Sequence, residues 1–253
     1  MTGLLQNKVA IVTGGSMGIG RATAEAMARE GAKVVVAARG EKAGNQTVAA
    51  IRKAGGEATF VRCDVSQPDQ VAALVDRAVK AYGRLDCACN NAGFEGERRL
   101  IHEVSEADWD TVMAVNLTGA WLCTKQEILA MLKTGGGSIV NVASANGLIG
   151  TPTFTAYTAS KHGVLGLTKA AALEYAKEGI RVNAVCPGGV ATPMFDRLYG
   201  VDTPKRRQVR QGHPLGREAK PDEVARAVVW LCSGKASYVN GASLSIDSGL
   251  TIQ

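Results

Sequence analysis

Tyr157 and Lys161 stand four residues apart in Tyr157-Thr158-Ala159-Ser160-Lys161, the spacing that puts two side chains on one face of a helix. An ammonium beside a phenol favours phenolate and draws the phenol pKa down from about 10, giving an acid–base group that works near neutrality. Ser144 precedes this helix, just past the β-branched run Ser138–Val142. There its hydroxyl can hydrogen-bond a carbonyl at the carboxyl edge of a sheet, where open α/β sheets take their ligands. A second signal lies near the start, in Thr13-Gly14-Gly15-Ser16-Met17-Gly18-Ile19-Gly20. Glycines let backbone approach a pyrophosphate, and the helix that follows offers free N–H groups to the anion. The spacing is G-x-x-x-G-x-G rather than G-x-G-x-x-G, so its weight comes from its place after the first strand of a βαβ unit.

Such residues need a frame, and the hydrophobic pattern supplies one. Strands are expected at Lys8–Thr13, Lys33–Ala38, Ala58–Arg62, Leu85–Cys89, Ser138–Val142, Arg181–Val185 and Ala242–Ile246. Helices are expected at Ile19–Glu30, Lys42–Ala54, Pro68–Tyr82, Ala107–Leu132, Thr155–Lys177 and from Pro221 onward. Strand and helix alternating this regularly mean right-handed crossovers and a parallel sheet covered on both faces. The expected fold class is α/β: a single doubly wound Rossmann-type domain over residues 1–253, with about seven strands. One irregular stretch, about Pro193–Gly216, reads as a substrate lid. Its basic run Lys205, Arg206, Arg207 and Arg210 reads as a solvated face.

Composition narrows the classes. The 253 residues are 46% hydrophobic and 21% charged, with a net charge of +6, too mild an excess to demand nucleic acid. No apolar run approaches the roughly 18 residues of a membrane span. No basic region followed by a long apolar one opens the chain, so cytoplasm is the expected compartment. Cys63, Cys87, Cys89, Cys123, Cys186 and Cys232 lack metal or redox spacing and read as buried free thiols; Cys87 and Cys89 would share one side of a strand. His102, His162 and His213 are scattered without metal-site spacing and read as surface or lid residues, so no metal is expected.

In this order and spacing the chain resembles the short-chain dehydrogenases/reductases over nearly its whole length. The resemblance rests on Thr13–Gly20, Asp64-Val65, Asn90-Asn91-Ala92-Gly93, Asn116, Ser144 thirteen residues before Tyr157, Tyr157/Lys161, Pro187-Gly188 and Thr192. It implies Tyr157 as acid–base and Lys161 holding the nicotinamide ribose and tuning the tyrosine. Ser144 would orient the substrate oxygen, and Asn116 would support a proton-relay water. It implies cofactor contacts from Gly14, Ser16, Met17, Gly18, Ile19 and Gly20, from Asp64 and Val65 near the adenine, from Asn91, Ala92 and Gly93, and from Pro187, Gly188, Val190 and Thr192 against the nicotinamide. The common D-G-G near the end reads Asp247-Ser248-Gly249 here. The small residues Ala159, Gly163, Gly166 and Ala170 repeat at helical spacing on the Tyr157 helix, and the resemblance makes them an oligomer interface, in a tetramer.

The expected reaction is interconversion of a secondary alcohol and a ketone. Phe94, Glu95, Phe154, Met194, Phe195, Leu198 and Tyr199 are expected to line an apolar pocket with one carboxylate. Asn90–Gly96 and Pro187–Met194 look more like family members acting on cyclic or other small secondary alcohols. A 3-oxoacyl-carrier-protein reductase is the alternative, and a silent dinucleotide sensor is the alternative of another class. For the cofactor, the second strand ends Ala38-Arg39-Gly40. The carboxylate that would bond the ribose 2′-OH of NAD and repel a 2′-phosphate is absent, and a guanidinium follows, so NADP(H) is favoured over NAD(H).

Overall fold

The computed structural model describes residues 3–253. Seven parallel strands lie in the order β3-β2-β1-β4-β5-β6-β7. They are β1 (Val9–Thr13), β2 (Lys33–Ala38), β3 (Glu57–Arg62), β4 (Cys87–Asn90), β5 (Gly137–Val142), β6 (Ile180–Pro187) and β7 (Ser243–Ile246). The winding reverses between β1 and β4, which are neighbours in the sheet but not in the chain. Such a reversal leaves a crevice at the carboxyl ends of the strands.

The central strands are buried on both sides because each side of the sheet is covered. Val34, Val36, Cys87, Cys89, Val140 and Val142 pack with α1 (Gly18–Arg29), α2 (Glu41–Lys53) and α9 (Pro221–Cys232). Ile11, Val35, Ala37, Ala88 and Ile139 pack on the opposite side with α3 (Pro68–Tyr82), α5 (Gly119–Met131) and the end of α6 (Thr155–Tyr175). Cys87 and Cys89 therefore do share a face, and all six thiols are buried and free.

Three expectations change. The helix expected over Ala107–Leu132 is α4 (Glu106–Met113) and α5 joined by a π turn at Ala114–Thr118, with Asn116 in its middle. A π turn carries an extra residue without breaking the helix, so apolar periodicity reads straight through it. The stretch expected to be irregular holds α7 (Pro193–Tyr199) and α8 (Pro204–Gln211). Each has proline in its first turn and a threonine cap, Thr192 accepting from Phe195 N and Thr203 accepting from Arg206 N. Third, the basic run is not uniformly solvated. Arg206 is buried, with Nε and Nη2 each 2.6 Å from the Glu218 carboxylate and a further pair to Asp196. Arg210 reaches Glu218 at 2.7 Å. These bonds fasten α8 both to α7 and to the segment before α9.

Candidate active site

The carboxyl edge of the sheet opens into a cavity of about 360 Å³. Ser144, Tyr157 and Lys161 meet there, from the end of β5 and the first turns of α6. The Ser144 hydroxyl caps a short helical turn by accepting from Asn146 N at 3.1 Å, which leaves its hydrogen free to donate. Burial pushes the Tyr157 phenol up to about 12, while a hydrogen bond with Ser144 pulls it the other way. Lys161 is buried, donates to Val142 O at 2.8 Å, and holds its ammonium 5.5 Å from the Tyr157 ring centroid. Burial brings its pKa down to about 8. The expected depression of the phenol is therefore not what the chain alone produces. Desolvation outweighs the Ser144 hydrogen bond, and the Lys161 ammonium gives its own hydrogen bond to a carbonyl instead.

Asn116 is buried, and its side chain is fully engaged. Oδ1 accepts from Phe94 N at 2.8 Å, and Nδ2 donates to Phe94 O at 2.9 Å and Ser160 Oγ at 3.1 Å. The π turn aims this amide at the loop after β4, and Asn116 acts as a clasp on that loop. Phe94, expected in the pocket wall, is held through its backbone in this clasp and does not line the cavity. Glu95, Phe154, Met194, Phe195, Leu198 and Tyr199 do line it. The one wall carboxylate among the described residues, Glu95, is buried and gripped in two-point fashion by Arg197 at 2.8 and 3.1 Å, and its charge adds to the upward push on the Tyr157 phenol.

Beside the cavity lies the glycine turn. Gly14 and Gly18 have φ of 62° and 53°, the left-handed region that glycine enters freely. A Cβ on Gly20 would come within 2.3 Å of Gly14 O and 2.4 Å of Asn91 Nδ2. Met17 starts α1 without a side-chain cap, so the first N–H groups of that helix, from Gly18, Ile19 and Gly20, are available to an anion. Ser16 sits in the same turn. Asn91 braces it through Nδ2 to Thr13 O at 3.0 Å, and Thr13 Oγ1 accepts from the N–H groups of Asn91 and Ala92.

Ile19, Asn91, Gly93, Pro187, Gly188, Val190 and Thr192 continue from this turn into the cavity wall. This cradle of bare backbone and glycine fits a dinucleotide. Of the outlying expected contacts, Asp64 accepts from Ser66 N and Oγ, Val65 is buried against Gly119, and Arg39 is exposed with no ion-pair partner among the described residues. No group of three His, Cys, Asp or Glu suited to a metal occurs among the described residues.

His213, expected as a surface or lid residue, is buried in the cavity wall. Its Nε2 accepts from Gly189 N at 2.8 Å while Nδ1 lies 2.9 Å from Val209 O, an assignment of the neutral ring made from these partners. Asn146 and Thr151 also line the cavity, bonded to each other at 3.1 Å. Asn146 follows Ser144 by two residues, a spacing from which it can be found; nothing local marks His213.

A family model described as Enoyl-(Acyl carrier protein) reductase matches residues 14–251. The chain is 46% identical over 248 residues to 2,5-dichloro-2,5-cyclohexadiene-1,4-diol dehydrogenase of Sphingobium indicum, covering 98% of each chain. It is 41% identical over 251 residues to cyclohexanol dehydrogenase of an Acinetobacter species, covering 99% of this chain and 98% of that one. The crystal structure of a variant of actinorhodin polyketide ketoreductase with NADPH superposes with a TM-score of 0.92 at 40% identity, covering all of both chains. With the glycine turn, the tyrosine–lysine pair and the serine in one cavity, and relatives matching end to end, the chain belongs to the short-chain dehydrogenase/reductase family of NAD(P)-dependent oxidoreductases.

Proposed function

We propose that this protein interconverts a small cyclic secondary alcohol and its ketone, with NADP(H) as preferred cofactor and Tyr157 as acid–base. The observation that carries the reading is the convergence of Ser144, Tyr157 and Lys161 on one cavity next to the glycine turn. The bound nicotinamide supplies the hydride donor or acceptor. In the reducing direction Ser144 donates a hydrogen bond to the ketone oxygen and Tyr157 gives it a proton; in the oxidising direction the phenolate takes the carbinol proton. Lys161 holds the ribose and keeps a positive charge near the phenol. Asn116 positions the loop that carries Gly93. The apolar wall of Phe154, Met194, Phe195 and Leu198 suits a hydrocarbon ring, and relatives named for cyclohexane-type alcohols support that class. The test is absorbance at the reduced-nicotinamide band, with both cofactors against cyclic ketones, diols, sugars and acyl thioesters. Turnover of acyl thioesters alone would favour a 3-oxoacyl-carrier-protein reductase.

Cofactor choice rests on Ala38 and Arg39. Arg39→Ala is expected to weaken NADP(H) binding by about 1.5–3 kcal/mol, the scale of a charge-assisted hydrogen bond, and to leave NAD(H) nearly untouched. Calorimetry with both cofactors reads this. A parent enzyme with higher kcat/KM for NAD than for NADP overturns the preference.

The same reading makes the protein a cytoplasmic homotetramer. Within the small-residue stripe, Gly163 is already committed inside its own chain, since a Cβ there would lie 2.7 Å from Leu117 Cδ2. Gly166 and Ala170 remain exposed, beside Leu173 at 83% exposure, and this part of α6 is the face offered to a partner. Light scattering at micromolar concentration is expected to give about four times the chain mass; a monomer removes the interface.

A further inference from the structure

Outside the lining of the cavity, two cations lie against its aromatic walls and make a cationic rim there. The Arg98 guanidinium lies over two rings that line the cavity, 4.6 Å from the Phe154 centroid and 5.6 Å from that of Tyr199. Lys205, on α8, holds its ammonium 5.6 Å from the same Tyr199 ring. Neither cation has a carboxylate partner among the described residues; Arg98 bonds only Thr153 Oγ1, at 3.2 Å. The nearby acids are already taken: Glu95 by Arg197, Glu97 by Arg99, Asp196 by Arg206 and Asp202 by Arg207. Two unpaired cations thus stand against the aromatic walls of a cavity whose one wall carboxylate among the described residues is paired with Arg197.

From these contacts we propose that the rim reads an anionic group on the substrate, so that the preferred substrate is a cyclic secondary alcohol or ketone bearing a carboxylate away from its reacting carbon. The inference rests on the proposed function for the reacting end and adds the far end. The geometry fits a single ring: Phe154 stands 6.0 Å from Tyr157 between centroids, and the guanidinium sits over that same Phe154. The reacting phenol and the Arg98 cation therefore flank one aromatic side chain. A carboxylate there meets a fork of N–H donors from Arg98 and a point charge from Lys205, while Arg197 offsets the charge of Glu95.

The test compares 4-hydroxycyclohexanecarboxylate with its methyl ester, a neutral analogue of nearly the same shape, in the parent enzyme with its cofactor. The acid is expected to have kcat/KM at least about tenfold above the ester, the scale of one charge-assisted contact. Raising ionic strength is expected to shrink that ratio, since the cations are exposed. Arg98→Gln and Lys205→Gln are each expected to lower the ratio severalfold, while Arg98→Lys, which keeps the charge but loses the planar fork, retains part of it. An ester used as well as the acid overturns the proposal, and so does preference for a carrier-linked acyl ketone over the free acid. Calorimetry with cyclohexanecarboxylate, which has no carbinol to oxidise, separates the two readings. Binding of this acid that weakens in Arg98→Gln, without turnover of any alcohol, leaves the rim standing and sinks the reaction. Turnover of neutral alcohols with no binding of the acid does the reverse.

Discussion

Tyr157→Phe is expected to lower turnover by about 10²–10⁴-fold while the cofactor still binds, because it removes one hydroxyl and nothing that shapes the cavity. That range is the usual worth of a positioned proton transfer. The phenol is poised for donation: burial pushes it up to about 12, so it is protonated at neutrality in the free chain. Ketone reduction, which needs a proton from it, is expected to proceed at neutral pH, whereas alcohol oxidation, which needs phenolate, is expected to accelerate as pH rises. Both directions are expected to fail in the Phe variant. Calorimetric cofactor binding and steady-state rates, read on the same preparation, decide the matter. A variant whose turnover stays within threefold of the parent overturns the assignment, and a variant that loses cofactor binding says that Tyr157 is part of the cradle instead.

Local spacing makes the reacting groups legible; their partners are not. Tyr157 and Lys161 are four residues apart on one helix, so their shared face follows from helical geometry alone. The carbonyl that takes the Lys161 ammonium belongs to Val142, on another element, and no spacing rule points to it. The central strands are legible because both faces are covered, which leaves near-continuous apolar runs such as Val34–Ala38. The π turn at Ala114–Thr118 is not, because one extra residue barely disturbs apolar periodicity. The helices α7 and α8 do leave a signal, Thr192-Pro193 and Thr203-Pro204, each a threonine cap followed by proline at the first helical position. Reading those prolines as loop residues hides two helices. Arg206 defeats the pattern because a basic run looks solvated until Glu218, twelve residues on, is seen beneath it. His213 enters the cavity wall because the turn after α8 sets its ring between Gly189 N and Val209 O, contacts that no spacing announces.

The second large effect is expected from Glu127, in α5, a residue that no motif marks. It is 1% exposed, has Asn90 Nδ2 at 2.9 Å as its hydrogen-bond donor, and has no cation paired with it among the described residues. Asn90 also donates to Asn141 Oδ1 at 3.0 Å, and Asn141 donates to Thr168 Oγ1 at 3.0 Å. Glu127 thus anchors a polar knot beneath β4 and β5, the strands that lead into Asn91 and Ser144. Burial pushes its carboxyl up to about 8 from an ordinary 4.5, against the one hydrogen bond that favours the charge.

The folded chain therefore holds a proton that the unfolded chain releases between those values. This contribution to stability is complete below the unfolded pKa and is lost as pH rises through the folded one. Glu127→Gln keeps the shape and the acceptor for Asn90 but does not titrate. Groups such as Asp86 and Glu218, whose pKa values are lowered, impose the opposite slope, yet equally in both proteins, so they cancel in the comparison. From pH 5 to pH 8 the stability of the Gln variant relative to the parent is expected to rise by several kcal/mol, because each tenfold difference in proton affinity between fold and unfolded chain is worth about 1.4 kcal/mol. Urea unfolding at the two pH values measures it, and parallel pH profiles would show that Glu127 is ionised in the fold. A rise in the difference means that the knot under the active-site strands is held together by a neutral carboxylic acid, whose ionisation would leave a charge with one amide to meet it.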